Sequence, residues 1–206
     1  MTMATPIILL ISAPSGGGKT TVCSALLAAN AGLRRVVTCT TRLPRPGEQD
    51  GVDYHFFTPE DFARRSGAGE FLEHATVYGR SYGTLKSSVL DLLAAGNDVL
   101  LNIDVQGAAS VRKVAISDPV LSGALVTVFL TPPTLTELGS RLRGRGADAE
   151  DVVLRRLAEA RVEAARWTEF DYLVVSGARA DDSRRMQAIH DAERLRRSRA
   201  RFELES

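Results

Sequence analysis

Cysteine, histidine and tryptophan are scarce in this chain of 206 residues, which holds two Cys, three His and one Trp. With Cys23 and Cys39 as its whole thiol complement, the sequence offers no disulfide scaffold and suits a reducing compartment. No metal-ligand spacing joins these cysteines to His55, His74 or His190. A structural zinc site is therefore not expected, and the histidines read as structural or surface residues. An excess of one charge is missing too. Lys+Arg 26 against Asp+Glu 25 leaves a formal net charge of +1, so no global field recruits nucleic acid or an anionic membrane, and any anion must be gripped locally. No apolar run approaches the ~18 residues of a membrane span, and the N-terminus has neither the basic start nor the apolar stretch of a signal peptide. The expectation is a soluble, cytoplasmic protein without nucleic-acid or membrane partners; monomer and homo-oligomer both stay open.

What is present is a large apolar fraction, 44%, enough for one substantial core in a single folding unit. Four short apolar runs, residues 7–11, 99–104, 125–130 and Tyr172–Val175, are continuous rather than alternating, as in strands buried on both faces. Helical spacing falls between them, at 19–31, 85–95, 134–143, 149–167 and 182–199. The alternation predicts an α/β fold with a parallel sheet covered by helices. Two stretches break the scheme. Residues 38–57, "TCTTRLPRPGEQDGVDYHFF", look like an inserted substrate-binding lobe, and 141–157, "RLRGRGADAEDVVLRRL", sets arginines around a glycine-flanked break that suits a mobile flap. Trp167 reads as a core or hinge residue, and the arginine-rich "ERLRRSRARFELES" as a solvated, partly frayed helix.

The first run leads into "SAPSGGGKTT". The phosphate-loop pattern asks for Gly, four free positions, then Gly-Lys-[Ser/Thr]. Gly18, Lys19 and Thr20 satisfy its second half, while Ala13 stands where the first glycine belongs. A bare Gly-Lys-[Ser/Thr] arises by chance in about one chain in ten. Here it follows a buried strand and opens a helix, so backbone N–H groups of Gly16 to Thr20 can converge on phosphate at the positive end of the helix dipole. Lys19 would reach the outer phosphates, and the Thr20 hydroxyl would sit on Mg²⁺. Alanine is tolerated at 13 if its φ is negative.

"TTRLPRPGEQDGVDYHF", "GEFLEHATVYGRSYGT", "NIDVQG" and "RLRGRG", in that order, resemble guanylate kinase over roughly residues 6–190. The resemblance implies a phosphate-loop core at 5–36, 88–133 and 170–206, a GMP-binding lobe at 37–87 and a lid at 134–169. It implies ATP and GMP as substrates, ADP and GDP as products, and Mg²⁺ as cofactor. The donor would lie along Ala13, Pro14, Ser15, Gly16, Gly17, Gly18, Lys19, Thr20 and Thr21. Arg42, Arg45, Tyr54 and Tyr82 match the positions gripping the GMP phosphate; Glu73, Thr84 and Thr38, joined by Asp104, match those reading guanine. Arg141, Arg145 and Arg156 match lid arginines that, with Lys19 and Arg42, carry catalysis by neutralising the transferred group.

Two further departures accompany Ala13. Asn102 replaces an acidic residue, expected on the same strand face as Asp104, and Ser176 replaces the adenine-side asparagine, which points to looser donor selectivity. The rival readings are a catalytically dead binding module of the same fold, disfavoured by intact Lys19, Thr20, Arg42 and Arg45, and a kinase for another acceptor, disfavoured by Glu73 and Thr84.

Overall fold

The structure is a computed structural model describing residues 3–77, 79–144 and 150–201. In chain order these form β1 (Met3–Ala4), β2 (Ile8–Ser12), α1 (Lys19–Ala29), β3 (Leu33–Arg35), β4 (Cys39–Thr40), β5 (His55–Phe56), α2 (Pro59–Gly67), β6 (Phe71–Val77), β7 (Arg80–Leu85) and α3 (Lys86–Ala94). Then come β8 (Asp98–Asn102), α4 (Val105–Ile116), α5 (Pro119–Ala124), β9 (Leu125–Thr131), α6 (Leu135–Arg143), α7 (Glu150–Ala164), a 3₁₀ turn at Ala165–Glu169, β10 (Tyr172–Val175), α8 (Arg179–Arg194) and β11 (Ala200–Arg201).

Among the described residues, the main sheet has five parallel strands in the order β10-β9-β2-β8-β3. Its central strand shows why an unbroken apolar run can be a strand. Leu9 and Ile11 face one core with Val22, Leu26 and Met186 from α1 and α8, while Ile8 and Leu10 face another with Val89, Val111 and Leu121 from α3, α4 and α5. A strand covered on both sides has no polar face to alternate with. The four anticipated strands are all present. The fifth, β3, is three residues long with two of them exposed, too short to leave a pattern.

A second, mixed sheet, β5-β4-β7-β6, grows out of 39–85. Its small core of Cys39, Phe62, Phe71 and Leu85 packs against α2, which opens on a Thr58 cap accepting from the Asp61 N–H at 3.1 Å. Both sheets open onto one cleft at the carboxyl ends of the parallel strands, the usual ligand crevice of such sheets.

Several expectations need correction. Trp167 lies in the 3₁₀ turn that ends the anticipated 149–167 helix, and it is 46% exposed. Residues 195–201 are no frayed continuation of α8. The helix stops at Arg194, Arg199 turns inward to an ion pair with buried Glu193, and β11 pairs with β1. His190, by contrast, fits its structural reading: it is buried and donates its Nε2–H to Asp98 Oδ2 at 2.8 Å, beside Arg194 at 2.7 Å, with the Ile7 N–H at 3.0 Å on the other oxygen. Burial pushes the Asp98 carboxyl up, but these hydrogen bonds and the Arg194 charge prevail and hold it below its usual range.

Candidate active site

β2 ends at Ser12, and 13–18 turn the chain into α1. Gly16 and Gly18 adopt φ of 86° and 98°, a region that L side chains avoid. Gly17 donates its N–H to the Pro14 carbonyl at 2.9 Å. A Cβ on Gly17 would lie 2.7 Å from the Ala13 Cβ and 3.0 Å from the Pro14 carbonyl oxygen. The methyl of Ala13 is buried, filling the space that Gly17 leaves open. Lys19 folds back over the loop, its Nζ donating to the Ala13 carbonyl at 2.7 Å. Thr20 and Thr21 follow on the exposed first turn of α1.

The segment after β9 covers this loop. A Cβ at Gly16 would meet Leu142 of α6 at 2.9 Å, so the base of that helix rests directly on the glycine. Arg141 is held by Glu137 at 2.5 Å and by the Ser176 hydroxyl at 3.0 Å; that hydroxyl in turn donates to Asp182 at 2.7 Å. Arg141, Ser176 and Asp182, together with Gly16, Gly18 and Thr21, line a pocket of about 400 Å³. From α7, Arg156 donates through Nε and Nη2 to the Ser15 hydroxyl at 3.2 and 2.9 Å. The Glu163 carboxylate accepts from the Ser15 N–H at 3.2 Å. Arg145 lies outside the described residues.

Across the cleft, Arg42 is sandwiched between an ion pair with Glu48 at 2.8 Å and the faces of Tyr54 and Phe56, 5.4 and 5.9 Å from their centroids. Tyr82 packs edge-on to Tyr54 at 6.4 Å and lies within electrostatic reach of Arg42. Arg45 is exposed, its backbone N–H donating to the second Glu48 oxygen at 2.8 Å. One Arg and two phenols therefore converge, and Glu48 stiffens the proline-rich loop that carries them.

Deeper in, Thr38, Tyr54, Thr84 and Asn102 line a cleft of about 180 Å³. Thr84 donates its hydroxyl to Glu73 Oε1 at 2.6 Å across the β6–β7 ladder, where the two residues are direct partners. Burial pushes the Glu73 carboxyl up, opposed by that bond and reinforced by the charge of Asp104. Asp104 does not share a strand face with Asn102. β8 stops at Asn102, and Asp104 caps α4 by accepting from the Gly107 N–H at 2.7 Å. A Cβ at Gly107 would lie 3.3 Å from Glu73 Oε2 and 3.4 Å from Asp104 Oδ1, so this glycine lets the two carboxylates approach one point. The charge of Asp104 acts on Glu163 as well as on Glu73.

Sequence reasoning missed Glu48, Gly107, Glu137, Asp182 and Glu163. Each works through a neighbour already singled out, and Glu48 alone had a local signal, three residues after Arg45 in a Pro-Gly turn. Burial raises the Glu163 carboxyl, whereas the Ser15 N–H and the Lys19 charge lower it.

Comparison with known proteins identifies the family. The family model described as Guanylate kinase matches residues 3–191. The guanylate kinase of Nitrosococcus oceani is 46% identical over 199 residues, covering 97% of this chain and 95% of its own. That of Paramagnetospirillum magneticum is 45% identical over 193 residues, covering 94% and 87%. Among solved structures, guanylate kinase from Anaplasma phagocytophilum superposes with a TM-score of 0.71 at 30% identity, covering 96% of this chain and 90% of its own. A gluconokinase from Sinorhizobium meliloti, at 18% identity and a TM-score of 0.50, shares the fold alone. By sequence, fold and the groups its cleft assembles, the chain belongs to the guanylate kinase family, the nucleoside monophosphate kinases that phosphorylate GMP using ATP.

Proposed function

We propose that this chain runs the family reaction with the donor phosphates on residues 13–21 under Arg141, Arg145 and Arg156, and with GMP between two sets of groups. Arg42, Arg45, Tyr54 and Tyr82 take the acceptor phosphate; Glu73, Thr84, Thr38 and Asp104 take guanine. The observation that carries the assignment is the Glu73–Thr84 pair, 2.6 Å apart, with Thr84 lining the narrow cleft and Asp104 approaching Glu73 over Gly107. A carboxylate accepts from guanine N1–H and its exocyclic amine, and with the Thr84 proton engaged by Glu73 it is the Thr38 hydroxyl that can donate to O6; adenine presents a lone pair at N1 and would leave the carboxylate unpaired. These contacts address base and phosphate rather than ribose, so dGMP serves as a second acceptor.

The attacking oxygen belongs to a phosphate already ionised at neutral pH, so no residue is needed as a base. Arg42 and the two phenols orient that oxygen, Lys19 and the lid arginines neutralise charge on the group in transit, and closure of 134–169 over 37–87 keeps water out. Mg²⁺ fits the donor set. Thr20 offers a hydroxyl at the loop's end, and among the described residues no cluster of three His, Cys, Asp or Glu is built to cage a metal, which matches an ion that shares phosphate oxygens and keeps its waters. When bound, the ion would screen the donor's phosphate charge. Cytoplasmic residence is supported by Cys23 and Cys39, both unpaired and buried, with burial pushing each thiol up to about 12. Among the described residues no helix is long and apolar enough to cross a membrane.

The test is an ADP-release assay with ATP and Mg²⁺ against GMP, dGMP, AMP, UMP, CMP and dTMP. Turnover with GMP and dGMP far above the rest is expected. Silence with every acceptor, from protein that still binds GMP, would refute the reading in favour of a binding module.

A further inference from the structure

Glu163 and Arg156 stand on one helix, α7, and both reach the same phosphate-loop residue. Arg156 takes the Ser15 hydroxyl, and Glu163 takes the Ser15 N–H at 3.2 Å. A carboxylate there offers the loop what a phosphate oxygen would offer: a negative oxygen on a backbone N–H of an anion-binding turn. The charged groups facing it fit that description. Lys19 from α1 stabilises the anion, Arg166 senses it from the following turn, and Asp104 at the start of α4 and Glu159 on α7 itself oppose it. Half-buried beside two like charges, the carboxyl is pushed up overall by its burial, and the loop N–H and the Lys19 charge oppose that push.

We infer that Glu163 is an anion placeholder, occupying the phosphate loop when no donor is bound and displaced when the donor's phosphates arrive. The inference rests on the reading of 13–21 as the donor site. A triphosphate brings several negative charges to the same loop and the same Lys19, and like charges cannot share them. Displacement breaks the Glu163 contact with Ser15, whereas Arg156, of opposite sign, can follow the phosphates. Donor arrival thereby shifts the balance of attractions between α7 and the loop from an anion to a cation. Glu163 is a positioning residue in this account, since it leaves when the reactant comes.

The experiment is ATP binding by calorimetry, without GMP, to the wild type and to E163Q, with thermal unfolding recorded for each. Glutamine keeps an oxygen for the Ser15 N–H and removes only the charge. E163Q is expected to bind ATP about three- to ten-fold more tightly, with a lower KM for ATP and an unchanged KM for GMP; Glu163→Ala should move in the same direction. A contact that merely braced the loop would weaken ATP binding when removed. Equal or weaker binding by both variants overturns the inference. Failure of the wild type itself to bind ATP would instead sink the donor-site reading beneath it.

Discussion

Glu73→Gln tests the acceptor assignment at one atom pair. Thr84 donates its hydroxyl to Glu73 Oε1 at 2.6 Å, and Oε2 points toward the gap left by Gly107. In the variant one of the two acceptor oxygens becomes an NH₂, and the Thr84 hydroxyl can either donate to the amide oxygen or accept from the amide nitrogen. Guanine presents donors at N1 and at its exocyclic amine, so in either orientation one acceptor is missing. The loss is one charge-assisted hydrogen bond, about 1.5–3 kcal/mol, plus an unpaired buried donor, about 1–3 kcal/mol. Together they come to about 2.5–6 kcal/mol, or about two to four decades in kcat/KM for GMP. AMP, whose N1 is an acceptor, should lose nothing and gain relative to GMP. The assay is steady-state kinetics with GMP and AMP at saturating ATP, then with ATP varied. A fall of less than tenfold for GMP, or an equal fall in ATP affinity, would refute the assignment of Glu73 to the base.

Lys19→Met should lower turnover by about two to three decades at an unchanged unfolding midpoint, since one cation among several on the transferred phosphate is lost; near-normal turnover in the ADP-release assay would contradict the loop's role. Gly17→Ala puts a Cβ 2.7 Å from the Ala13 Cβ and 3.0 Å from a backbone oxygen, so the loop must shift and ATP affinity measured by calorimetry should fall at least about tenfold. Asp98→Asn removes the charge that His190 and Arg194 share and should destabilise the fold by about 3 kcal/mol in urea unfolding. Because the folded Asp98 carboxyl lies below its ordinary value, the wild type's advantage is complete above the unfolded value near 4 and disappears as pH falls further; constant ΔΔG between about pH 5 and 8, shrinking below about pH 4, is the expected record.

The core of the fold was legible because buried parallel strands write themselves as apolar runs, and β2 does so in five consecutive buried residues. The 39–85 sheet was less so. β4 and β5 are two residues each, and β6 exposes four of its seven residues, so neither run length nor alternation marks them. Asp104 read as a strand residue because the apolar run ends beside it, but its side chain favours a helix cap, and that preference decides where β8 stops. Glu163 could not be found at all. It sits in a charged helix that looks like a solvated face, and its partner Ser15 is 148 positions away. Glu193 and Arg199 failed in the same way: an arginine-rich run does not say which of its members folds inward onto the glutamate at its head.

The Ala13–Gly17 contact bears on how loops of this kind are recognised. One methyl fits between these two positions, and two do not. Exchanging them would not be equivalent, because a Cβ at 17 would also press on the Pro14 and Leu130 carbonyl oxygens at 3.0 and 3.3 Å. The constraint is thus a volume held jointly by two residues, with an asymmetric rule about which one can fill it. A glycine-for-glycine string search treats the first position as obligatory and rejects chains of this type. Scoring the pair as one unit, small at 17 and at most a methyl at 13, would admit them.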